Sequence, residues 1–295
     1  MTDTSNHIKT ACVSTAQIDI ELNNGLESRY NKEVFASVKV AAQLAVKNAF
    51  TLIPNVSPAF MDSIAITDEI QGSHLQIQVT VKAIHKSNLD AEAMLGASVA
   101  GITLADMLNA EEASVNINSL KVIKSKSGLK DFKRMYPSNL NAAVIVCSDT
   151  ISEGIKEDRA GKAIMEKLAE SSVDVSHYEV IPDEKELIAE RAKTLSKTNN
   201  LLIYTGGTGL SFRDVTPEAL APLLDRNIPG IEEAIRSYGQ ERMPFAMLSR
   251  SVAGTIGNCL VLALPGSTNG ARESMEAIFP HVLHVFKILR GQAHD

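Results

Sequence analysis

Tryptophan is absent from this 295-residue chain, and its three cysteines, Cys12, Cys147 and Cys259, stand far apart with no CxxC pair. That set is unsuited to a disulfide framework or a zinc knuckle and fits a reducing compartment. No apolar run approaches the roughly 18 residues of a membrane span. The opening MTDTSNHIKT has no basic region leading into an apolar core, so neither a signal peptide nor a membrane partner is expected, and cytoplasmic placement is. Excess positive charge is lacking too: the net charge is −6, whereas a nucleic-acid partner needs a basic face. Neither a Walker A loop nor GxGxxG is present, which speaks against kinase, ATPase and dehydrogenase readings.

What is present suits two ordinary soluble domains, each able to bury a core. Hydrophobic residues make up 44% and charged residues 22%. Met135-Tyr136-Pro137-Ser138-Asn139 interrupts the pattern, which sets the expected domains at 1–135 and 136–295. In the first, Glu33–Phe50 and Leu89–Leu108 have helical spacing, the second with small residues (Ala97, Ala100, Gly101) that permit close packing. Ser63–Asp68 and Leu75–Ile84 flank Gln71-Gly72-Ser73 as a hairpin, and Leu120–Ile123 suggests a further strand. Helices set against antiparallel strands make an α+β layer. Lys121, Lys124, Lys126, Lys130, Lys133 and Arg134 face one acid, Asp131. The stretch is either a solvated linker or, with Ser127-Gly128 inside it, an anion site.

After the boundary the rhythm changes to strand–helix alternation. The strands are Ala142–Cys147, His177–Ile181, Leu201–Thr205 and Cys259–Leu264. The helices between and after them are Gly161–Glu170, Glu184–Leu195, one from Pro217, and Arg272–Leu289. Such alternation gives a doubly wound, mostly parallel α/β sheet, whose ligands bind beyond the carboxyl ends of the strands. The residues there are Ser148-Asp149, Pro182-Asp183-Glu184, Thr205-Gly206-Gly207-Thr208-Gly209 with Arg213-Asp214-Val215-Thr216-Pro217-Glu218, and Pro265-Gly266-Ser267. Three glycines in five residues let backbone wrap a phosphate, and the two threonine hydroxyls add donors. Thr216 reads as a helix N-cap with Pro217 at the first helical position. Asp214 and Asp183 are the carboxylates placed to hold Mg²⁺ beside a nucleoside triphosphate. The plainer alternatives are that the glycine loop is only a turn and that Asp149 or Asp183 caps a helix. Cys147 and Cys259 read as core residues, and His281 and His284 as surface or partner-facing rather than metal ligands.

The combination TGGTG and RDVTPEA, with IPDE at Ile181–Glu184 before them and LPGS at Leu264–Ser267 after, resembles the molybdopterin adenylyltransferase family, which includes gephyrin-like proteins. The resemblance runs from Asn141 to about Gly291 and takes in Leu248-Ser249-Arg250. It departs after Pro265-Gly266-Ser267, where Thr268-Asn269 stands in place of the usual Pro-Lys or Pro-Ala. It implies a molybdopterin-binding fold, with Asp183 and Asp214 catalytic and Mg²⁺-associated. Ser148, Asp149, Thr205–Gly209 and Pro265–Ser267 would bind ATP and the pterin phosphate. It also implies a homo-oligomer, trimer or hexamer, working beside other molybdenum-cofactor assembly proteins.

Val34 to Phe132 resembles the cyclic pyranopterin monophosphate synthase family. Val34-Phe35-Ala36, Leu52-Ile53-Pro54, Asp90-Ala91-Glu92-Ala93-Met94, Asp106-Met107 and Lys126-Ser127-Gly128-Leu129-Lys130-Asp131-Phe132 carry that likeness. It implies an α+β ferredoxin-like domain. Glu92, Asp106, Lys126 and Lys130 match the family. Val56-Ser57 stands where the family has Cys-His, Asn109 for a lysine, Asn31-Lys32 for Lys-Gly, and Asp90 for the first glutamate of its helix. Loss of an imidazole from an acid–base position costs orders of magnitude in rate, so a degenerate site at Ser57 is expected. Three readings follow: adenylylation of molybdopterin by the second domain, a pterin-holding scaffold without turnover, or a bifunctional enzyme active in both halves.

Overall fold

A computed structural model describes residues 9–23, 25–108, 114–126 and 136–291. The chain forms two compact units, Met1–Phe132 and Lys133–Asp295.

Among the described residues of the first unit lies a four-stranded antiparallel sheet in the order β2-β3-β1-β4. Its strands are β1 (Thr10–Leu22), β2 (Ser63–Gln71), β3 (His74–His85) and β4 (Val115–Lys126). The helices α1 (Lys32–Lys47), α2 (Ala49–Leu52) and α3 (Asp90–Leu108) complete it. Strand, helix, two strands, helix, strand, with β1 central, is the ferredoxin-like arrangement. Period-two alternation puts Ala16, Ile18, Ile20 and Leu22 of β1, with Leu75, Ile77, Val79 and Val81 of β3, in the core under Val38, Ala42, Ala97, Ala100 and Leu104 of the helices. Asn31 caps α1 by accepting the backbone N–H groups of Glu33 and Val34.

Strand β1 goes beyond the sequence reading. Its outward positions, Thr15, Gln17 and Asp19, are polar, yet it is the strand on which β3 and β4 both register. Helix α3 is long and apolar enough by composition to cross a membrane, contrary to the expectation that no such stretch exists. Here it packs against α1 and the sheet through its buried small residues.

The described residues of the second unit include a six-stranded sheet in the order β6-β5-β7-β10-β9-β8. The strands are β5 (Leu140–Cys147), β6 (Val173–Ile181), β7 (Leu201–Thr205), β8 (Arg226–Asn227), β9 (Val252–Ile256) and β10 (Cys259–Leu264). β6, β5, β7 and β10 run parallel, while β9 and β8 are antiparallel additions at one edge that the sequence reading lacked. The helices are α4 (Asp149–Ser152), α5 (Ala160–Glu170), α6 (Lys185–Leu195), α7 (Thr216–Leu220), α8 (Pro229–Gln240), α9 (Thr268–Ile278) and α10 (Val285–Leu289).

The near-continuous apolar runs follow from burial on both faces. Leu140, Ala142, Val144, Leu201, Ile203, Leu260 and Leu262 join α5, α8 and α9 in one cluster. Ala143, Ile145, Cys147, Leu202, Tyr204 and Val261 join α6 and α7 in the other. All three cysteines are buried. The helix expected over Arg272–Leu289 is broken at Phe279-Pro280, because proline has no N–H for a helix interior. His281 is accordingly on a short 3₁₀ turn, where its Nδ1 lies 2.6 Å from the Tyr136 hydroxyl, rather than on an open helix face.

Candidate active site

The parallel register builds the site. Cys147 of β5 lies opposite Ile181 of β6, so the residues two beyond each, Asp149 and Asp183, emerge side by side. The Asp183 N–H donates to Asp149 Oδ1 at 3.0 Å and the Asp149 N–H donates to Asp183 Oδ2 at 3.3 Å. The other Asp183 oxygen, Oδ1, is buried and has no hydrogen-bond partner among the described residues. Burial raises the Asp183 carboxyl above the ordinary carboxylate value. The charges of Asp149 and Asp214 push it the same way, while Arg213 and a main-chain hydrogen bond oppose them. Asp183 caps no helix side chain to backbone: α6 starts after Glu184 without such a bond. The helix after β5 is capped by Ser148, whose Oγ accepts the Ile151 N–H.

The glycine loop after β7 is a tightly held turn. Gly206 and Gly207 have φ of +100° and +62°, which side chains rarely adopt. A Cβ on Gly207 would stand 2.3 Å from Thr216 Oγ1 and 2.8 Å from Asp183 Oδ1; one on Gly209 would stand 2.8 Å from Asp214 Oδ2. The backbone thus runs between the two carboxylates where no side chain fits. Gly266 of the Pro265–Ser267 loop packs against Gly206, an added Cβ falling 2.9 Å from its Cα. The two glycine-bearing loops meet, as expected.

Several hydroxyls serve the loop rather than a ligand. Thr205 is fully buried and its Oγ1 donates to the Pro265 carbonyl at 2.8 Å, and Thr208 is only 3% exposed. For Thr205 this corrects the expectation of a hydroxyl donor to a phosphate, because that donor is already used within the loops. Thr216 is also fully buried. Its hydroxyl donates to the Gly206 carbonyl at 2.9 Å and its N–H to Gly207 O at 3.1 Å. It therefore clamps the loop and does not cap α7, whose N-cap position is Val215. Ser267 caps α9 by accepting the Gly270 N–H.

Two arginines were missed as site residues, although both lie in motif runs. Arg213 makes a two-pronged pair with Asp149, Nε to Oδ2 at 2.9 Å and Nη2 to Oδ1 at 2.8 Å, and this pair holds the Asp149 carboxyl below its ordinary value. Arg250 donates to the carbonyls of Gly209 at 2.8 Å and Asp214 at 2.7 Å and pairs with Glu218, tying the two ends of the 209–214 segment together. The Asp214 carboxylate accepts the Ser211 N–H at 2.8 Å. Beside the Pro265–Ser267 loop lies a cavity of about 370 Å³ lined by Arg236, Arg242, Phe245, Ser249 and Glu273 among others.

Among the described residues of the first unit, two of the expected site residues stand well apart. Glu92 and Asp106 are 14 residues apart on α3, about 21 Å at 1.5 Å per residue. Glu92 is 4% exposed, and burial raises its carboxyl, with a further push from Asp90. Asp106 is exposed, Lys126 is exposed at the end of β4, and Ser57 is half-buried in the irregular stretch before β2. Asp90 accepts the Ser14 hydroxyl at 2.6 Å. Lys130, Asn109 and Ser127-Gly128 lie outside the described residues, as do Lys133 and Arg134 of the basic cluster.

A doubly wound domain with a glycine loop between carboxylates at the strand ends, joined to a ferredoxin-like unit, places the chain among two-domain proteins whose α/β half has its candidate site at the carboxyl ends of the strands. Comparisons sharpen the class. The probable molybdopterin binding domain family matches residues 143–284, and the MoaC family matches residues 1–128. A molybdenum cofactor biosynthesis bifunctional protein of Chlorobaculum tepidum is 32% identical over 262 residues, covering 88% of this chain and 83% of that protein. The molybdopterin adenylyltransferase of Helicobacter pylori strain J99 is 36% identical over 159 residues, 52% of this chain and 89% of its own. A crystal structure of a molybdopterin biosynthesis protein from Mycobacterium abscessus superposes with a TM-score of 0.50 at 34% identity, covering 52% of this chain and 97% of that one. The chain belongs to the family of molybdenum cofactor biosynthesis bifunctional proteins.

Proposed function

We infer that the chain works in molybdenum-cofactor assembly and that its second unit transfers AMP from ATP to the terminal phosphate of molybdopterin. A pterin phosphate oxygen attacks the α-phosphorus, the α–β phosphoanhydride bond breaks, and pyrophosphate leaves. The attacking phosphate is already ionised, so the protein's task is alignment and charge. The observation that carries this reading is the placement of Asp183 Oδ1 and Asp214 Oδ2 each 2.8 Å from where a side chain would begin on Gly207 and Gly209. Backbone there is free to approach phosphates, with carboxylates on both sides.

The same residues fit Mg²⁺. The donors are hard carboxylate oxygens, and Asp183 Oδ1 is buried without a partner. An ion held by one or two carboxylates together with substrate phosphates needs no larger set of protein ligands. Bound there, Mg²⁺ would neutralise the charge that develops on the phosphoanhydride oxygens. The loops Thr205–Gly209 and Pro265–Ser267, with Ser148 and Asp149, would seat ATP and the pterin phosphate, and the adjoining cavity offers room for an organic ring.

The first unit is read as a synthase domain that retains its architecture and serves assembly, joining copies of the chain into a homo-oligomer. Ser57 in place of a histidine supports this over a chain active in both halves. The deciding experiment is pyrophosphate release from ATP and Mg²⁺ with and without molybdopterin. Release that depends on the pterin is expected; none in its presence would leave a pterin-holding scaffold.

A further inference from the structure

We propose that Arg213 is an exchangeable counter-charge: it neutralises the acidic corner of the unliganded site and leaves Asp149 for a nucleotide phosphate when metal and ATP enter. This rests on the adenylylation reading and deepens it. Asp149 and Asp214 both place negative charge on Asp183, and Arg213 is the cation that offsets them. A triphosphate approaching three uncompensated carboxylates would be repelled, so a counter-charge must be present first and must then yield its place to the metal.

The geometry suits such an exchange. The guanidinium meets Asp149 through two donors at 2.8 and 2.9 Å, and the same fork fits a phosphate's oxygens equally well. Its side chain is 61% exposed, and an ion pair in that setting is weak enough to break on ligand arrival. Leu210 and Phe212, at 70% and 104% exposure, leave the surrounding segment without a burial anchor, whereas Arg250 fixes both of its ends. Hydrogen bonds among Ser211, Arg213 and Asp214 shape the middle of the segment from within, and the Arg213–Asp149 pair that the proposal breaks ties it to the neighbouring loop.

A purely structural arginine and an exchangeable one differ in sign. In the full-length chain, Arg213→Ala leaves the carboxylates uncompensated. Mn²⁺ alone, followed by the electron paramagnetic resonance signal of the free ion, should then bind several-fold tighter than to wild type. Affinity for ATP with Mg²⁺, measured by calorimetry, should fall about tenfold, as for the loss of one charge-assisted contact. Arg213→Lys retains the charge and should hold Mn²⁺ affinity near wild type while losing part of the ATP affinity. Mn²⁺ binding that weakens or stays level in Arg213→Ala would overturn the proposal, as would unchanged ATP affinity. The Mn²⁺ measurement needs no turnover. A wild-type chain that releases no pyrophosphate would end the adenylylation reading, while the sign of the Mn²⁺ change would still decide the role of Arg213.

Discussion

Asp149 and Asp183 hold one another by exchanged main-chain hydrogen bonds, at 3.0 and 3.3 Å. Each carboxylate accepts the N–H of the other residue, so neither can turn away without freeing a buried donor or acceptor. The pair follows from the parallel register of β5 on β6; two loops of unrelated sequence are joined by strand alignment alone. With one oxygen of each aspartate spent on the partner's backbone, Asp183 Oδ1 is left for a ligand.

The first prediction concerns the carboxylate across the loop. Asp214→Asn keeps an oxygen to accept the Ser211 N–H and should fold with a melting temperature within a few degrees of wild type. A neutral amide is a poor Mg²⁺ ligand, so pyrophosphate release should fall at least 100-fold, on the order of one lost electrostatic contact in the transition state. Wild-type turnover in the variant would remove Asp214 from the mechanism.

Gly207→Ala tests the cradle. The residue has φ +62° and its new Cβ would stand 2.3 Å from the buried Thr216 hydroxyl, so both backbone and clamp must shift. A left-handed conformation alone costs a side chain about 1–2 kcal/mol. Gly257→Ala is the control: φ is +57° with open space around it. Both variants should melt lower, Gly207→Ala more so, but ATP affinity should drop only in Gly207→Ala. An affinity equal to wild type there would reduce the loop to a turn. The burial of Thr216 thus adds a stability loss that the motif reading did not foresee.

The lower limit of what a sequence discloses is visible in these same residues. β7 and β10 have the bounds read for them because both faces are covered, giving apolar runs with sharp ends. β1 was missed because one face is a polar ladder of Thr15, Gln17 and Asp19, whose side chains bond to other strands rather than to solvent. Asp183, Asp214 and the glycine loop were legible from type and position after a strand. The partners of Arg213 and Arg250 were not, since both contacts cross more than 30 residues. Thr205 and Thr216 were misassigned because a hydroxyl's direction depends on which loop it meets.

Asp19 gives a pH-dependent prediction for the first unit. The Ser119 hydroxyl donates to it at 2.5 Å, Gln76 and Gln17 at 2.9 Å, and Lys121 lies 3.4 Å away. The Ser119 bond does most to lower its carboxyl to about 2, with Gln76, Gln17 and Lys121 adding to it against the cost of burial. A lowered carboxyl stabilises the fold above the unfolded value near 4 and loses that contribution as pH falls through 2. Discounted for its exposure to solvent, the contribution is about 1 kcal/mol. Asp19→Asn should therefore unfold at lower urea concentration at pH 7, and the gap from wild type should narrow between pH 4 and 2. A gap that is constant with pH would assign the effect to packing.

The last prediction is that the first unit makes no cyclic pyranopterin monophosphate. Its fold is intact: a complete four-stranded sheet, a capped α1 and a well-packed α3. What is altered is chemical. Ser57 and Val56 occupy the positions of a His and a Cys in the resembled family, and a serine hydroxyl is no base near neutral pH without another base to assist it. Glu92 survives but is buried, with its proton affinity raised, and Asp106 stands about 21 Å along the helix from it. Lys126 remains exposed at the end of β4 and can still attract an anion, so weak phosphate binding is compatible with lost turnover. The full chain, given the cyclised GTP-derived substrate, should form no product above the uncatalysed rate. The combined Val56→Cys/Ser57→His/Asn109→Lys variant should regain measurable turnover if the losses are confined to those side chains. Product from the unaltered chain at a rate comparable to an intact synthase would instead make both units catalytic, with Ser57 irrelevant to proton transfer.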